Sequence, residues 1–297
     1  MRTAFTGTGV ALVTPFGPDL SPDLEALRQL VRYATEGGVD YLVVLGTTAE
    51  VVTLNQAEKA LILQTVADEN EGRLPLVAGI GGNNTLAVAR EMEQAPLDAY
   101  QAILSVSPYY NRPTQEGIYQ HFRFLASRAP LPLILYNVPA RTGSNMLPDT
   151  VARLARDCES IIGVKEACGD MGQVSQLLDA IPESFLVISG DDFTAVPTIL
   201  EGGVGVISVL GQALPATFSS MINHALDGHR QEALTLSEAV RPLIELIFTE
   251  GNPAGIKALL HLQGIGDPYV RLPLVPASEN LLQALEASIK CFDGQRV

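Results

Sequence analysis

The sequence predicts an α/β protein, a (β/α)8 TIM barrel followed by a C-terminal helical annex. Eight short apolar runs recur, at 9–16, 41–46, 75–81, 100–108, 132–138, 161–165, 185–190 and 203–210. Each is nearly continuous in apolar residues rather than alternating, as strands buried on both faces require. Segments with helical spacing lie between them, and eight strand and helix alternations are the layout of a (β/α)8 barrel. A doubly wound sheet is the competing arrangement of the same pieces. From about residue 228 the strand-like runs cease, and 231–248, 254–262 and 279–290 read as helices. The barrel is therefore expected over 1–227 and the annex over 228–297. No Ser/Gly-rich linker separates them, so the annex is expected to pack on the barrel.

After the first run, Ser21 is placed to cap a helix, with Pro22 at its first position. Leu24, Leu27, Leu30, Val31 and Ala34 then form one face, and Gly37 and Gly38 end it. Asn55 with Glu58 three residues later matches a capping box, and Leu61, Ile62 and Val66 form the buried stripe of that second helix. Thr114 opens a similar segment bearing Ile118, Phe122 and Leu125.

Composition removes several function classes. The 297 residues carry 19 Lys+Arg against 33 Asp+Glu, a formal charge of −14, and the pI is about 4.7. With no basic run, the electrostatic footprint of a nucleic-acid or anionic-membrane binder is missing. The 47% hydrophobic content excludes intrinsic disorder. Every apolar run falls short of the ~18 residues of a membrane span. Arg2 followed by the run at 9–16 imitates a weak signal peptide, but Pro15, Asp19 and Asp23 spoil it, and the cytoplasm is the expected compartment. Cys158, Cys168 and Cys291 form an odd set without CxxC spacing, which fits a reducing compartment and neither a disulfide framework nor a zinc site.

In such a barrel the reacting groups sit where strands end. The second run ends in GTTAE (46–50), the fourth in SPYYN (107–111), the fifth in YNVPARTG (136–143) and the sixth in GVKEA (163–167). Lys165, following Ile161, Ile162 and Val164, is expected to point into the barrel mouth, where desolvation favours a nucleophilic amine. The plain alternative is a structural lysine paired with Glu166. A Schiff-base lysine needs a proton shuttle, and Tyr136 ends the neighbouring strand, although tyrosines also end strands simply for packing. Gly46, Thr47 and Thr48 offer N–H groups and hydroxyls suited to a carboxylate. Arg141 has the planar fork to clamp a second carboxylate, or is an exposed loop charge.

Other chemistries are poorly supported. His121, His224, His229 and His261 fall in helices and a loop rather than at strand ends, which disfavours a metal-dependent aldolase, and no metal ligands are assigned. The stretch at 79–82 lacks the third glycine of a dinucleotide fingerprint, and no GxxxxGK[ST] occurs. Gly190 and the glycines at 202–205 occupy the place where many barrels bind phosphate, with close backbone packing an equally good reason.

Taken in order, GTTAE, SPYYNRPTQEG (107–117), YNVPARTG, GVKEA and SGDD (189–192), continued by GVIS (205–208) and NPAGIK (252–257), resemble the motifs of the dihydrodipicolinate synthase (4-hydroxy-tetrahydrodipicolinate synthase) family across nearly the whole chain. That family lies within the pyruvate-dependent class I aldolase superfamily of N-acetylneuraminate lyase. The resemblance implies a lyase that needs no cofactor beyond a covalent lysine imine with its substrate. It implies Lys165 as the residue that condenses with pyruvate, Tyr136 as proton relay, and Thr47 with Tyr110 completing the relay, Tyr110 coming from a neighbouring subunit. Thr48 would hold the pyruvate carboxylate, and Gly190 and Ile207 would line the pocket. Arg141 would bind the carboxylate of L-aspartate 4-semialdehyde. The implied product is 4-hydroxy-tetrahydrodipicolinate, at the committed step toward diaminopimelate and lysine, and the implied assembly is a homotetramer built as a dimer of dimers. Sialic-acid lyases, 2-keto-3-deoxy-sugar aldolases and a barrel that has lost catalysis but binds ligand are the alternatives.

Position 49 departs from the family, with Ala where Gly is usual; if the loop needs a positive φ there, the methyl strains it by roughly 1 kcal/mol. In the cleft where relatives bind lysine, Asn83 and Tyr109 remain. Gln56 and Ala87 replace the usual His and Glu, and Val51 and Val52 replace small polar residues. Weak or absent inhibition by lysine is the expectation.

Overall fold

The computed structural model describes residues 4–294. Eight parallel strands close into a barrel in sequence order: β1 (Gly7–Ala11), β2 (Tyr41–Val44), β3 (Leu76–Gly79), β4 (Ala102–Val106), β5 (Leu133–Asn137), β6 (Ile161–Glu166), β7 (Leu186–Ser189) and β8 (Gly205–Ser208). Pairing of β1 with β8, Gly9 opposite Ile207, excludes the doubly wound sheet. Except at β6, each strand is shorter than its apolar run, because flanking residues are buried without joining the ladder. After β1, for example, the side chain of Gln212 takes over the backbone bonding: Val13 N donates to its Oε1 and its Nε2 donates to Ala11 O.

Helices α1 (Leu24–Glu36), α2 (Gln56–Asn70), α3 (Thr85–Gln94), α4 (Gln115–Ala126), α5 (Pro139–Thr142), α6 (Pro148–Asp157), α7 (Met171–Ala180), α8 (Ala195–Leu200) and α9 (Pro215–Leu226) occupy the crossovers. Alternate residues of a strand serve two cores. Val43, Ile134, Tyr136, Ile188 and Ile207 fill the interior, whereas Leu42, Leu135, Val187 and Val206 pack outward against the helices.

The Asn55–Glu58 capping box forms, and Thr114 caps α4 over buried Ile118, Phe122 and Leu125. At α1 the cap is Asp23, whose carboxylate accepts from Ala26 N, not Ser21; Ser21 bonds Asp19 instead, and Pro22 precedes the helix in a bridge to Phe16. Leu61 faces solvent, and Leu63 takes its place in the buried stripe of α2 with Ile62 and Val66. Ala49 lies in a right-handed 3-10 turn (Thr47–Ala49), so its methyl is not strained; the left-handed residue is Glu50, φ 55°.

Helices α10 (Arg230–Thr249), α11 (Ala254–Leu262) and α12 (Glu279–Gly294) follow. Their apolar residues, including Val240, Ile244, Ile256, Leu259 and Leu285, belong to the same core as the outer layer of the barrel. Buried polar contacts join the layers as well. Lys257 Nζ lies 2.6 Å from Glu50 Oε1 and donates also to Tyr269 O. Arg271 pairs with Glu58 and donates to Leu20 O and Thr53 O.

Candidate active site

Lys165 faces the barrel interior because of a bulge. Between β5 and β6 the register steps from Leu133 opposite Ile161 to Ile134 opposite Gly163, leaving Ile162 as the extra residue. Ile161 packs outward, Ile162 inward, and Val164 outward again. Simple alternation from Ile161 would send residue 165 out toward the helices; the extra residue reverses the parity. Lys165 is consequently level with Tyr136 on β5 and Ile188 on β7, both interior.

Its ammonium nitrogen sits 4.4 Å from the centre of the Tyr136 ring, and both residues are buried. The lysine stem crosses Gly190. A Cβ there would come within 3.0 Å of Lys165 Cγ and Cε and 2.7 Å of Ala167 Cβ, so this glycine is needed for close approach. The pairing of Lys165 with Glu166 does not form. Glu166 points the other way, accepting from Asn137 Nδ2, Cys168 N and Gln173 Nε2, and burial pushes its carboxyl up against the pull of those donors.

The turn after β2 brings Thr47 to the same centre: Thr47, Gly46, Val106 and Tyr136 line a cavity of ≈ 50 Å3. Thr48 is buried, its Oγ1 accepting from Asn252 Nδ2 at 2.9 Å. Ile207 is an interior residue of β8. Arg141 lies in α5 directly after β5, exposed, and its guanidinium has no ion pair or hydrogen bond among the described residues. Tyr110 is 90% exposed with φ 70°, and does not line the Thr47–Tyr136 cavity.

Of the expected allosteric residues, Asn83 Nδ2 donates to Tyr109 O, and both line a cavity of ≈ 290 Å3 with Val51 and Val52. Gln56 lines an adjoining cavity of ≈ 440 Å3, and Ala87 borders both. Lys59 and Glu91, paired at 2.8 Å, stand on the wall of each.

Several residues near the site carried no separate signal in the sequence. Asn137, between Tyr136 and the PARTG turn, ties β5 to Glu166 and accepts from Met146 N. Asp192 is fully buried, accepting from Val209 N and Leu210 N, and burial raises its carboxyl to about 6. Asp191 is pushed up by burial, with a bond from Phe193 N and the charge of Lys165 acting the other way. Asn252 lies 204 residues from its partner Thr48, beyond the reach of any local pattern.

A (β/α)8 barrel carrying a buried lysine at the end of β6 beside a tyrosine at the end of β5 has the architecture of a Schiff-base lyase. The chain belongs to the dihydrodipicolinate synthetase family, whose model matches residues 4–292. It is 53% identical over 287 residues to the 4-hydroxy-tetrahydrodipicolinate synthase of Flavobacterium psychrophilum, covering 97% of this chain and 98% of that one. Among solved structures, the dihydrodipicolinate synthase of Thermotoga maritima superimposes with a TM-score of 0.96 at 37% identity, covering 98% of this chain and 99% of that one. The Acinetobacter baumannii enzyme complexed with pyruvate gives 0.94 at 38%, covering 97% and 99%.

Proposed function

We propose that Lys165 is the nucleophile of a pyruvate lyase reaction. The activity is that of the family: condensation of pyruvate with L-aspartate 4-semialdehyde to 4-hydroxy-tetrahydrodipicolinate, on the route to diaminopimelate and lysine. The observation that carries the residue assignment is the buried Lys165 amine held over the Tyr136 ring in the barrel mouth.

The amine attacks the carbonyl carbon of pyruvate, and the carbinolamine loses water to give the imine. Tyr136 moves the proton at each stage, and Thr47, which shares its cavity, passes protons onward to Tyr110 of a neighbouring copy. Thr48 holds the pyruvate carboxylate, with Gly190 and Ile207 lining the pocket. Loss of a methyl proton gives the enamine, which attacks the semialdehyde carbon. The amino group of that substrate then attacks the imine carbon and displaces Lys165, which is regenerated as the free amine, so the covalent imine takes the place of a cofactor. Arg141, charged and without a partner among the described residues, binds the carboxylate of the second substrate.

Barrel residues 1–227 perform this chemistry and 228–297 form the annex that braces it; the core that the annex helices share with the outer layer of the barrel supports the packing. The enzyme acts in the cytoplasm as a homo-oligomer, a tetramer arranged as a dimer of dimers. Support comes from Cys158 and Cys168, which form no disulfide among the described residues, and from the outward Tyr110. Among the described residues, no helix is long and apolar enough to cross a membrane. The sugar-aldehyde lyases and an inactive binding barrel are not favoured by relatives of 43% to 53% identity that carry the synthase name.

Borohydride reduction in the presence of pyruvate, with peptide mass spectrometry and a coupled reductase assay, tests the reading. A pyruvate adduct on Lys165 with turnover of aspartate semialdehyde is expected. An adduct without turnover would move the acceptor toward a sugar aldehyde, and no adduct would remove the Schiff-base mechanism.

L-lysine is expected to inhibit weakly or not at all. In the cavities lined by Gln56, Ala87 and Asn83, the carboxylate of Glu91 is already paired with Lys59, whose charge repels an entering ammonium. Half-inhibition of the purified enzyme by sub-millimolar L-lysine would overturn this expectation.

A further inference from the structure

We infer that Asn252, supplied by the annex, is a positioning residue that aims the hydroxyl of Thr48 at the substrate carboxylate. The inference rests on the proposed role of Thr48 as the pyruvate-carboxylate contact.

A threonine hydroxyl has one proton to donate and two lone pairs to accept with. Two threonines packed at the same turn donate that proton to the backbone, Thr14 Oγ1 to Ala49 O and Thr53 Oγ1 to Glu50 O. Thr48 differs. Its Oγ1 accepts from Asn252 Nδ2 at 2.9 Å, and no residue among those described accepts its proton. The amide thus occupies a lone pair and leaves the donor side of the hydroxyl for a ligand, in a residue only 2% exposed. A carboxylate needs such a donor, and bonds to a charged acceptor are worth more than neutral ones.

Asn252 is placed for this rather than for stability. It is buried, yet its Oδ1 has no hydrogen-bond partner among the described residues, so no second bond fixes the amide. Its position is set from below by the next helix: Lys257 of α11 is held by Glu50, two residues beyond Thr48. The annex therefore meets the turn after β2 through Lys257 and Arg271, which hold Glu50, and through the Asn252 amide, which orients a hydroxyl.

Asn252→Asp tests the direction of the bond. An ionised carboxylate of the same size can only accept, so it draws the Thr48 proton toward itself and turns lone pairs to the substrate. The expected result is a pyruvate KM raised about tenfold or more, with kcat changed by less than about threefold. A matching rise is expected in the pyruvate concentration needed for half-maximal borohydride trapping. Adding Asn252→Asp to Thr48→Val should raise KM no further than Thr48→Val alone, whereas a purely structural asparagine would give additive effects. Thr48→Ser, which keeps the hydroxyl, should stay near wild type. If the aspartate variant does not fold, Asn252→Ala in the same cycle with Thr48→Val carries the test, with the same non-additivity expected. Unchanged KM in Asn252→Asp, or additivity in either cycle, overturns the role of Asn252 while leaving Thr48 as the contact. Unchanged KM in Thr48→Val removes that contact, and the positioning role with it.

Discussion

Lys165 and Glu166 are neighbours in the chain and opposites in environment. The amine lies inside the barrel over Tyr136, and the carboxylate lies outside among Asn137, Cys168 and Gln173. Room for the amine depends on Gly190. If Lys165 has its proposed role, Gly190→Ala should lower kcat by at least about tenfold, because a displacement of its amine by a fraction of an ångström spoils the alignment. The measurement is steady-state kinetics beside a melting curve; full activity would show that the stem of Lys165 moves aside freely. A second residue sets a pH dependence. Burial lowers the His121 imidazole to about 4, its Nδ1 bonding the hydroxyl of Thr85. Folded His121 is then neutral where the unfolded chain, with a pKa near 6.5, takes up a proton. The stability this contributes is present above about pH 6.5 and is lost as pH falls toward 4. Urea unfolding at pH 7 and pH 5 should show a smaller loss in His121→Gln than in wild type. The difference is at most about 1.4 kcal/mol per pH unit. Equal losses would contradict it.

At the scale of elements, the turn after β2 is braced by buried charge from the annex. Glu50, in a left-handed conformation, receives Lys257 Nζ and Arg271 N, and Lys257 lies 4.1 Å from the centre of the Phe16 ring. Both side chains of the pair are about 1% exposed, and burial pulls Lys257 down to about 8 although Glu50 holds it up. Removing one partner strands a buried charge. Lys257→Met should cost about 3–5 kcal/mol in denaturant unfolding, and Glu50→Gln combined with Lys257→Met should recover part of the loss. A single variant as stable as wild type would show that Glu50 finds another partner. Helix signals were legible where one cap and one stripe agree, as at Asn55 and Thr114. They misled at Ser21, because Asp23 two residues on is the better-placed acceptor, and at Leu61, because Leu63 covers the core instead.

At the scale of the whole molecule, Tyr110 stands outward on a left-handed backbone, away from the cavity of its own chain. If it completes the relay of a neighbour, mixed assemblies must show it. Tyr110→Phe and Lys165→Ala, each impaired alone, should regain activity when dissociated and reassembled together, because one site in the mixed pair then has both residues. No recovery, or an active chain that sediments at 31.7 kDa, would place the relay within one subunit.

The sequence by itself determined the eight strands and the polar residues at their ends, and it favoured a barrel over a doubly wound sheet without excluding the sheet. Strands buried on both faces must be apolar throughout, so eight such runs are visible in one dimension, and polar residues at their ends mark the mouth. It also identified Lys165, Tyr136, Thr47 and Thr48 as candidates from residue type and place. Tertiary structure alone decided which way they face. The extra residue at Ile162 turns Lys165 inward, a parity no apolar run records, since both faces of the strand are apolar. Closure of β1 on β8, and the reach of Asn252 and Lys257 to the turn after β2, join residues about 200 positions apart. Such contacts depend on where the folded chain returns, and no local spacing encodes that return.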